Sequence, residues 1–171
     1  VAPVRKTLGV RNFFNVLGPL VNPVQPQYQM LGVYDLAMLR LYSYIYQEEH
    51  KQFCIVHNID GYDEISLTSQ FKVVSNKGEQ LFVPEKLGFK RIEQHELSGG
   101  DTPEEAAQIF RNVLHARGTE AQMNVVLVNA AFGIQTIEQD KSIEECLDIA
   151  RDSLYGKKAL KTLEKFVELN R

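Results

Sequence analysis

Residues 119–136 leave almost no polar face for water. Val125, Val126, Leu127, Val128, Ala130, Ala131 and Phe132 fall on nearly every side of a helix. A helix that is apolar all round is buried, so this segment must lie at the centre and other elements must pack around it. The sequence upstream supplies candidates. Residues 28–34 (YQMLGVY) and 52–57 (QFCIVH) are short apolar runs that read as strands. Between them, residues 36–49 carry Leu36, Leu39, Tyr42, Tyr44, Ile45 and Tyr46 at helical spacing. Residues 71–75 and 80–83 alternate around Asn76-Lys77-Gly78, the pattern of a β-hairpin.

Three further helices are predicted around the central one. Thr102-Pro103-Glu104-Glu105 is a capping box with proline at the first helical position. It opens a helix with Ala106, Ile109, Phe110, Val113 and Leu114 on one face, ended by Gly118. Residues 142–154 place Ile143, Cys146, Leu147, Ala150 and Leu154 on one stripe, and 157–169 turn Leu160, Leu163 and Val167 inward. The lysines of that last helix, Lys157, Lys158, Lys161 and Lys165, read as its wet face. The order strand, helix, strand, hairpin, helices predicts an α/β fold: a mostly parallel sheet with an antiparallel hairpin, flanked by helices.

A chain of 171 residues can build such a core without a disulfide or metal staple. Hydrophobic residues at 44% and charged residues at 24% exclude a disordered chain. A net charge of -3 argues against a general nucleic-acid binder or an anionic-membrane binder. It leaves room for a small anionic substrate held by a few cations. No apolar run approaches the roughly 20 residues of a membrane span. Cys54 and Cys146 sit in apolar patterns and read as reduced core thiols of a cytoplasmic protein.

The polar features divide into structural and chemical readings. Asp63 and Glu64, with Asp60 and Gly61 before them, follow a strand, where α/β folds place ligands. Adjacent carboxylates there suit Mg²⁺, a hard ion that takes one or two carboxylates plus substrate phosphates. A solvated acidic turn has the same composition. Arg5, Lys6 and Arg11 flank Leu8-Gly9-Val10, and either grip an anion or form a wet helix face. Gly18-Pro19 and Asn22-Pro23 fix the backbone tightly, as a helix break or as a rigid pocket wall. Gly99-Gly100-Asp101 is explained by the capping box that follows it. His57 reads as a hydrogen-bonded core histidine, and His50, His95 and His115 have no ligand-like spacing. No nucleophile-base pair can be inferred.

Two of these stretches fit one family together. Val4-Arg5-Lys6-Thr7-Leu8-Gly9-Val10-Arg11, followed by Phe14-Asn15-Val16-Leu17-Gly18-Pro19-Leu20-Val21-Asn22-Pro23, closely resembles the anthranilate phosphoribosyltransferases. So does Val56-His57 followed by Asp60-Gly61-Tyr62-Asp63-Glu64-Ile65-Ser66, and Asn129-Ala130-Ala131 matches a late motif of the same family. The resemblance runs over the whole chain. It implies transfer of phosphoribosyl from phosphoribosyl diphosphate to the anthranilate amine, a step of tryptophan biosynthesis. It implies a small helical domain and a larger α/β domain with the site between them, commonly in a homodimer. By resemblance, Arg5 binds the anthranilate carboxylate, Gly18 and Pro19 shape the aromatic pocket, and Asp63 and Glu64 hold Mg²⁺ on the diphosphate. No covalent enzyme nucleophile is implied.

The family carries a glycine-rich phosphate loop nearer its N-terminus, and no such loop occurs here. The chain opens Val1-Ala2-Pro3 without an initiator methionine. The expectation is therefore the C-terminal portion of the enzyme, inactive alone. Residues 1–26 would be a remnant of the helical domain and hinge, and 27–171 most of the α/β domain. Its partners would be the two substrates and the missing N-terminal half. Exposed apolar surface is expected where that half docks. Two alternatives are a non-catalytic binding or assembly paralogue of the same fold, and a related nucleoside phosphorylase. The Gly18-Pro19-Leu20 segment looks like the anthranilate branch.

Overall fold

A computed structural model describes residues 17–170. Four strands form one sheet in the order β1 (Tyr28–Gly32), β2 (Gln52–Asn58), β3 (Phe71–Ser75), β4 (Gly78–Phe82). Helix α1 (Leu36–Glu48) links β1 to β2, and α2 (Pro103–Leu114), α3 (Glu120–Ile137), α4 (Ile143–Tyr155) and α5 (Lys158–Leu169) follow the sheet.

β1 and β2 run parallel, with Met30 opposite Cys54, because helix α1 carries the chain back to the starting edge. The remaining two pairings, β2–β3 and β3–β4, are antiparallel. The α/β class stands, but the expected predominance of parallel pairing does not hold among the described residues. The reason lies in the link after Asn58. It contains no helix, and its ends are tied by Ile59 N–H to the Gln70 carbonyl at 2.9 Å. The chain therefore returns beside β2, with Asn58 paired to Phe71.

β2 is buried on both faces, as a continuous apolar run requires. Phe53 and Ile55 point to a cluster with Leu39, Tyr42 and Tyr46 of α1. Cys54 and Val56 point the other way, to Val128, Ala131 and Phe132 of α3 and Cys146 and Leu147 of α4. The all-round apolar helix is thus the central one: α3 lies between the sheet and α4, with Val128 and Ala131 fully buried. Side-chain caps fix the helix starts. Asp35 accepts from Met38 N–H, Thr102 from Glu105, Thr119 from Gln122 and Ser142 from Glu145.

Two outer helices are less buried than their periodicity implies. On α2 only Val113 is buried, while Ala106 and Phe110 are exposed, and the helix ends at Leu114 rather than running on to Gly118. On α5, Leu160 and Leu163 are half-buried but Val167 is exposed, against the expectation that it points inward. Periodicity identifies an apolar face; it does not supply a neighbour to cover it. Leu41 and Tyr44 on α1 and Phe166 and Leu169 on α5 are likewise exposed.

Candidate functional site

The carboxyl ends of the parallel strands β1 and β2 meet one loop, residues 59–70. Asp63 and Glu64 are exposed on it, and Ile65, Ser66 and Leu67 behind them are buried. The loop is anchored on both sides of the acidic pair. In front, Gly32 lets it pass: a Cβ added there would overlap the Asp63 carbonyl oxygen and carbon. Only glycine allows the loop backbone to lie against the end of β1. Behind, the Asn129 side chain of α3 grips the Ile65 backbone. Its Oδ1 accepts from Ile65 N–H at 3.1 Å, and its Nδ2 donates to the Ile65 carbonyl at 2.8 Å.

A polar cluster closes the base of the loop. Asn58 ends β2 fully buried and donates from Nδ2 to Asp60 Oδ1 at 2.5 Å and to Ser69 Oγ at 3.0 Å. Thr68 donates to the other Asp60 oxygen at 2.5 Å and shares a 2.6 Å bond with Ser66. Burial raises the Asp60 pKa, but hydrogen bonds from Thr68, Asn58, Ser69 and its own backbone outweigh this and hold it below the usual carboxylate range. Asp60 is therefore a charged brace for the loop. Gly61 turns it at φ 104°, and buried Leu67 takes φ 61°, with its carbonyl bound by Ile92 N–H at 3.2 Å.

What the acidic pair can do follows from its setting. The donors are hard carboxylate oxygens on the surface, which suit Mg²⁺. Among the described residues no three His, Cys, Asp or Glu side chains gather into a metal cage. A cation held here needs further oxygens from a bound phosphate, the usual arrangement for Mg²⁺.

The other candidates are placed as follows. Arg5 lies outside the described residues. Gly18 and Pro19 begin a 3₁₀ turn, Gly18–Leu20, whose Leu20 packs on the α1 side of the sheet. Gly18 is exposed, and a Cβ there would meet open space. His57 is buried and donates from Nδ1 to the Val33 carbonyl at 2.8 Å, a structural bond that pins the end of β1. At the start of α2 the Glu105 side chain accepts from Asp101 N–H at 2.7 Å, so the glycine pair before it serves the cap. Cys54 and Cys146 are free and buried.

Gly32 and Asn129 are the positioning residues that spacing alone did not single out. Each had a signal: a glycine inside a strand marks close backbone approach, and an asparagine in an otherwise apolar helix needs a partner.

Residues 1–160 match the model of the glycosyl transferase family, a/b domain. Two similar proteins are anthranilate phosphoribosyltransferases of Bacteroides fragilis (strain YCH46) and Bacteroides thetaiotaomicron, 60% and 58% identical over 170 residues. Each alignment covers 99% of this chain and 51% of the relative. The chain therefore spans about half the length of these relatives. Among solved structures, the Thermus thermophilus anthranilate phosphoribosyltransferase superposes with a TM-score of 0.88 at 34% identity, over 98% of this chain and 50% of that one. The Saccharomyces cerevisiae enzyme in complex with PRPP and Mg superposes with a TM-score of 0.88 at 26% identity, over 98% and 48%.

Proposed function

Because this chain belongs to the glycosyl transferase family, a/b domain, we propose that it is the metal- and substrate-facing α/β portion of an anthranilate phosphoribosyltransferase. The whole enzyme would transfer phosphoribosyl from phosphoribosyl diphosphate to the amine of anthranilate, releasing diphosphate, in tryptophan biosynthesis. The observation that carries this reading is the exposed Asp63-Glu64 pair, fixed at the carboxyl ends of β1 and β2 by Gly32 and Asn129. The similar yeast structure holds PRPP and Mg, and the donor chemistry of the pair suits that ion.

In this proposal the division of labour is simple. Asp63 and Glu64 hold Mg²⁺, which neutralises charge on the departing diphosphate. Arg5 takes the anthranilate carboxylate through two parallel hydrogen bonds, and Gly18-Pro19 form the wall beside its ring. The amine is a weak nucleophile, so rate comes from holding it against the anomeric carbon as the diphosphate leaves. Burial pushes the Cys54 thiol up to about 12 even against a side-chain hydrogen bond with Thr136 that lowers it, which removes it as a nucleophile.

We place the boundary of the α/β domain at residues 26 and 27, with 1–26 belonging to a small helical domain. The main phosphate-binding loop would come from the half of the enzyme that this chain does not span, and the full-length form would be a cytoplasmic homodimer. Free, buried Cys54 and Cys146 support the reducing compartment.

The test follows anthranilate fluorescence with Mg²⁺ and phosphoribosyl diphosphate. This chain is assayed alone and mixed with the half of the Bacteroides fragilis relative that it does not match. Turnover only in the mixture, cut at least 100-fold by Asp63→Asn and by Arg5→Ala, is the expected result. A folded mixture without turnover would favour a non-catalytic paralogue. Full activity of Asp63→Asn would remove the metal assignment.

A further inference from the structure

A cavity lies at the opposite end of the sheet from the acidic loop. It has a volume of about 210 Å³ and sits between the β3–β4 turn, the end of α3 and the start of α4. That is below the roughly 300 Å³ at which drug-sized ligand sites begin, so it fits a smaller molecule. Its floor is aromatic: Phe82 and Phe132 line it, and their rings meet edge to face at 5.1 Å.

The charge of its wall is one-sided. Lys77 and Lys141 line it, and no Asp or Glu does, in a chain of net charge -3. Five ion pairs occur among the described residues and neither lysine belongs to one. The turn that carries Lys77 is held firmly. Asn76 accepts from Phe53 N–H at 2.8 Å and donates to the Lys51 carbonyl at 2.9 Å, tying the turn to the start of β2. The backbone at Lys141 is fixed as well: its N–H donates to the Glu138 carbonyl at 3.1 Å and its carbonyl accepts from Gln135 Nε2 at 3.2 Å. Both ammonium groups bear on the same buried thiol. Burial, Glu145 and Glu138 raise the Cys146 pKa, while Lys141 and Lys77 pull against them.

We propose that this cavity binds a small aromatic carboxylate, its ring on Phe82 and Phe132 and its carboxylate between Lys77 and Lys141. The pieces are those of a small-molecule site: an apolar recess with a few convergent polar groups of one sign. The ligand completes two cations that have no ion-pair partner among the described residues. The site is separate from the acidic loop, which lies beyond the other end of β2.

The probe is 4-fluorobenzoate, titrated into this 171-residue chain and followed by fluorine NMR. Its neutral isostere, 4-fluorobenzamide, is run in parallel. The expected result is saturable binding of the carboxylate, weakened at least tenfold in the Lys77→Ala, Lys141→Ala double variant and retained in Lys77→Arg, Lys141→Arg. The amide should bind weakly and equally to all three. Absence of saturable binding overturns the proposal. So does carboxylate binding undiminished in the lysine double variant, or an amide that binds as tightly as the carboxylate. Lys77 is exposed and Lys141 half-buried, and circular dichroism of each variant confirms the fold before titration.

Discussion

Asn129 and Ile65 are 64 positions apart, yet one side chain satisfies both backbone groups of the other residue, at 3.1 and 2.8 Å. Ile65 is fully buried, so water cannot replace either bond. The clamp sits one residue after Glu64 and ties the acidic loop to the central helix. A third bond, from Asn129 Nδ2 to the Val125 carbonyl at 2.9 Å, holds the amide in the orientation that the clamp needs.

Asn129→Ala leaves a buried N–H and a buried carbonyl without partners. Each such loss costs about 1–3 kcal/mol, so urea unfolding should report a loss of about 2–6 kcal/mol. Asn129→Asp keeps the acceptor but turns a carboxylate oxygen toward the Ile65 carbonyl, and should be no better than alanine. A loss under about 0.5 kcal/mol, the range of ordinary surface changes, would mean that the clamp contributes nothing.

Gly32→Ala attacks the same loop from the other side. The new methyl would overlap the Asp63 carbonyl, which is backbone and cannot rotate away. The loop must lift, and residues 59–70 should become sensitive to limited proteolysis. Gly99→Ala is the control, because a Cβ there meets nothing. Equal cleavage patterns for the two variants would show that the close approach is not needed to hold the loop.

Asp60 ties acid stability to the loop. Its folded pKa is depressed, so its contribution is present above the unfolded value of about 3.9 and is lost as pH falls through the folded one. Asp60→Asn keeps one oxygen for the Asn58 donor, turns an NH₂ toward the Thr68 hydroxyl in place of the second acceptor, and removes the charge. The stability difference between wild type and Asp60→Asn should be constant near neutrality and shrink as pH drops below about 4. A difference that does not change with pH would show that the carboxylate charge plays no part.

Much of this fold is legible in local sequence patterns. The central helix, the strand pair, the hairpin and the Thr102 cap follow from periodicity and capping chemistry, and the structure keeps them. The sheet's direction does not follow, because strand patterns carry no sign and the Asn58-to-Phe71 link reverses through loop hydrogen bonds. The acidic pair reads equally as turn or metal site, and only the family resemblance separates the two readings. Its anchors are not readable from spacing. Gly32 and Asn129 act on residues far away in sequence, and one-dimensional spacing holds no record of such a contact.

The last prediction concerns the alkaline side. Cys54 is buried, and burial pushes its thiol up to about 12 against a weaker opposing bond with Thr136. In the unfolded chain a cysteine titrates near about 8.5. Between these values the folded state keeps a proton that the unfolded state has lost. Stability must therefore fall as pH rises through this window, by at most about 1.4 kcal/mol per unit for one thiol. Below about pH 8 the thiol should contribute no slope. Cys54→Ala lowers stability at every pH by leaving a small cavity, but it removes this slope. Urea unfolding at pH 7 to 10 reads both effects, because the cavity shifts the curve and the thiol tilts it. Parallel curves for wild type and Cys54→Ala would show that Cys54 does not stay protonated in the folded core.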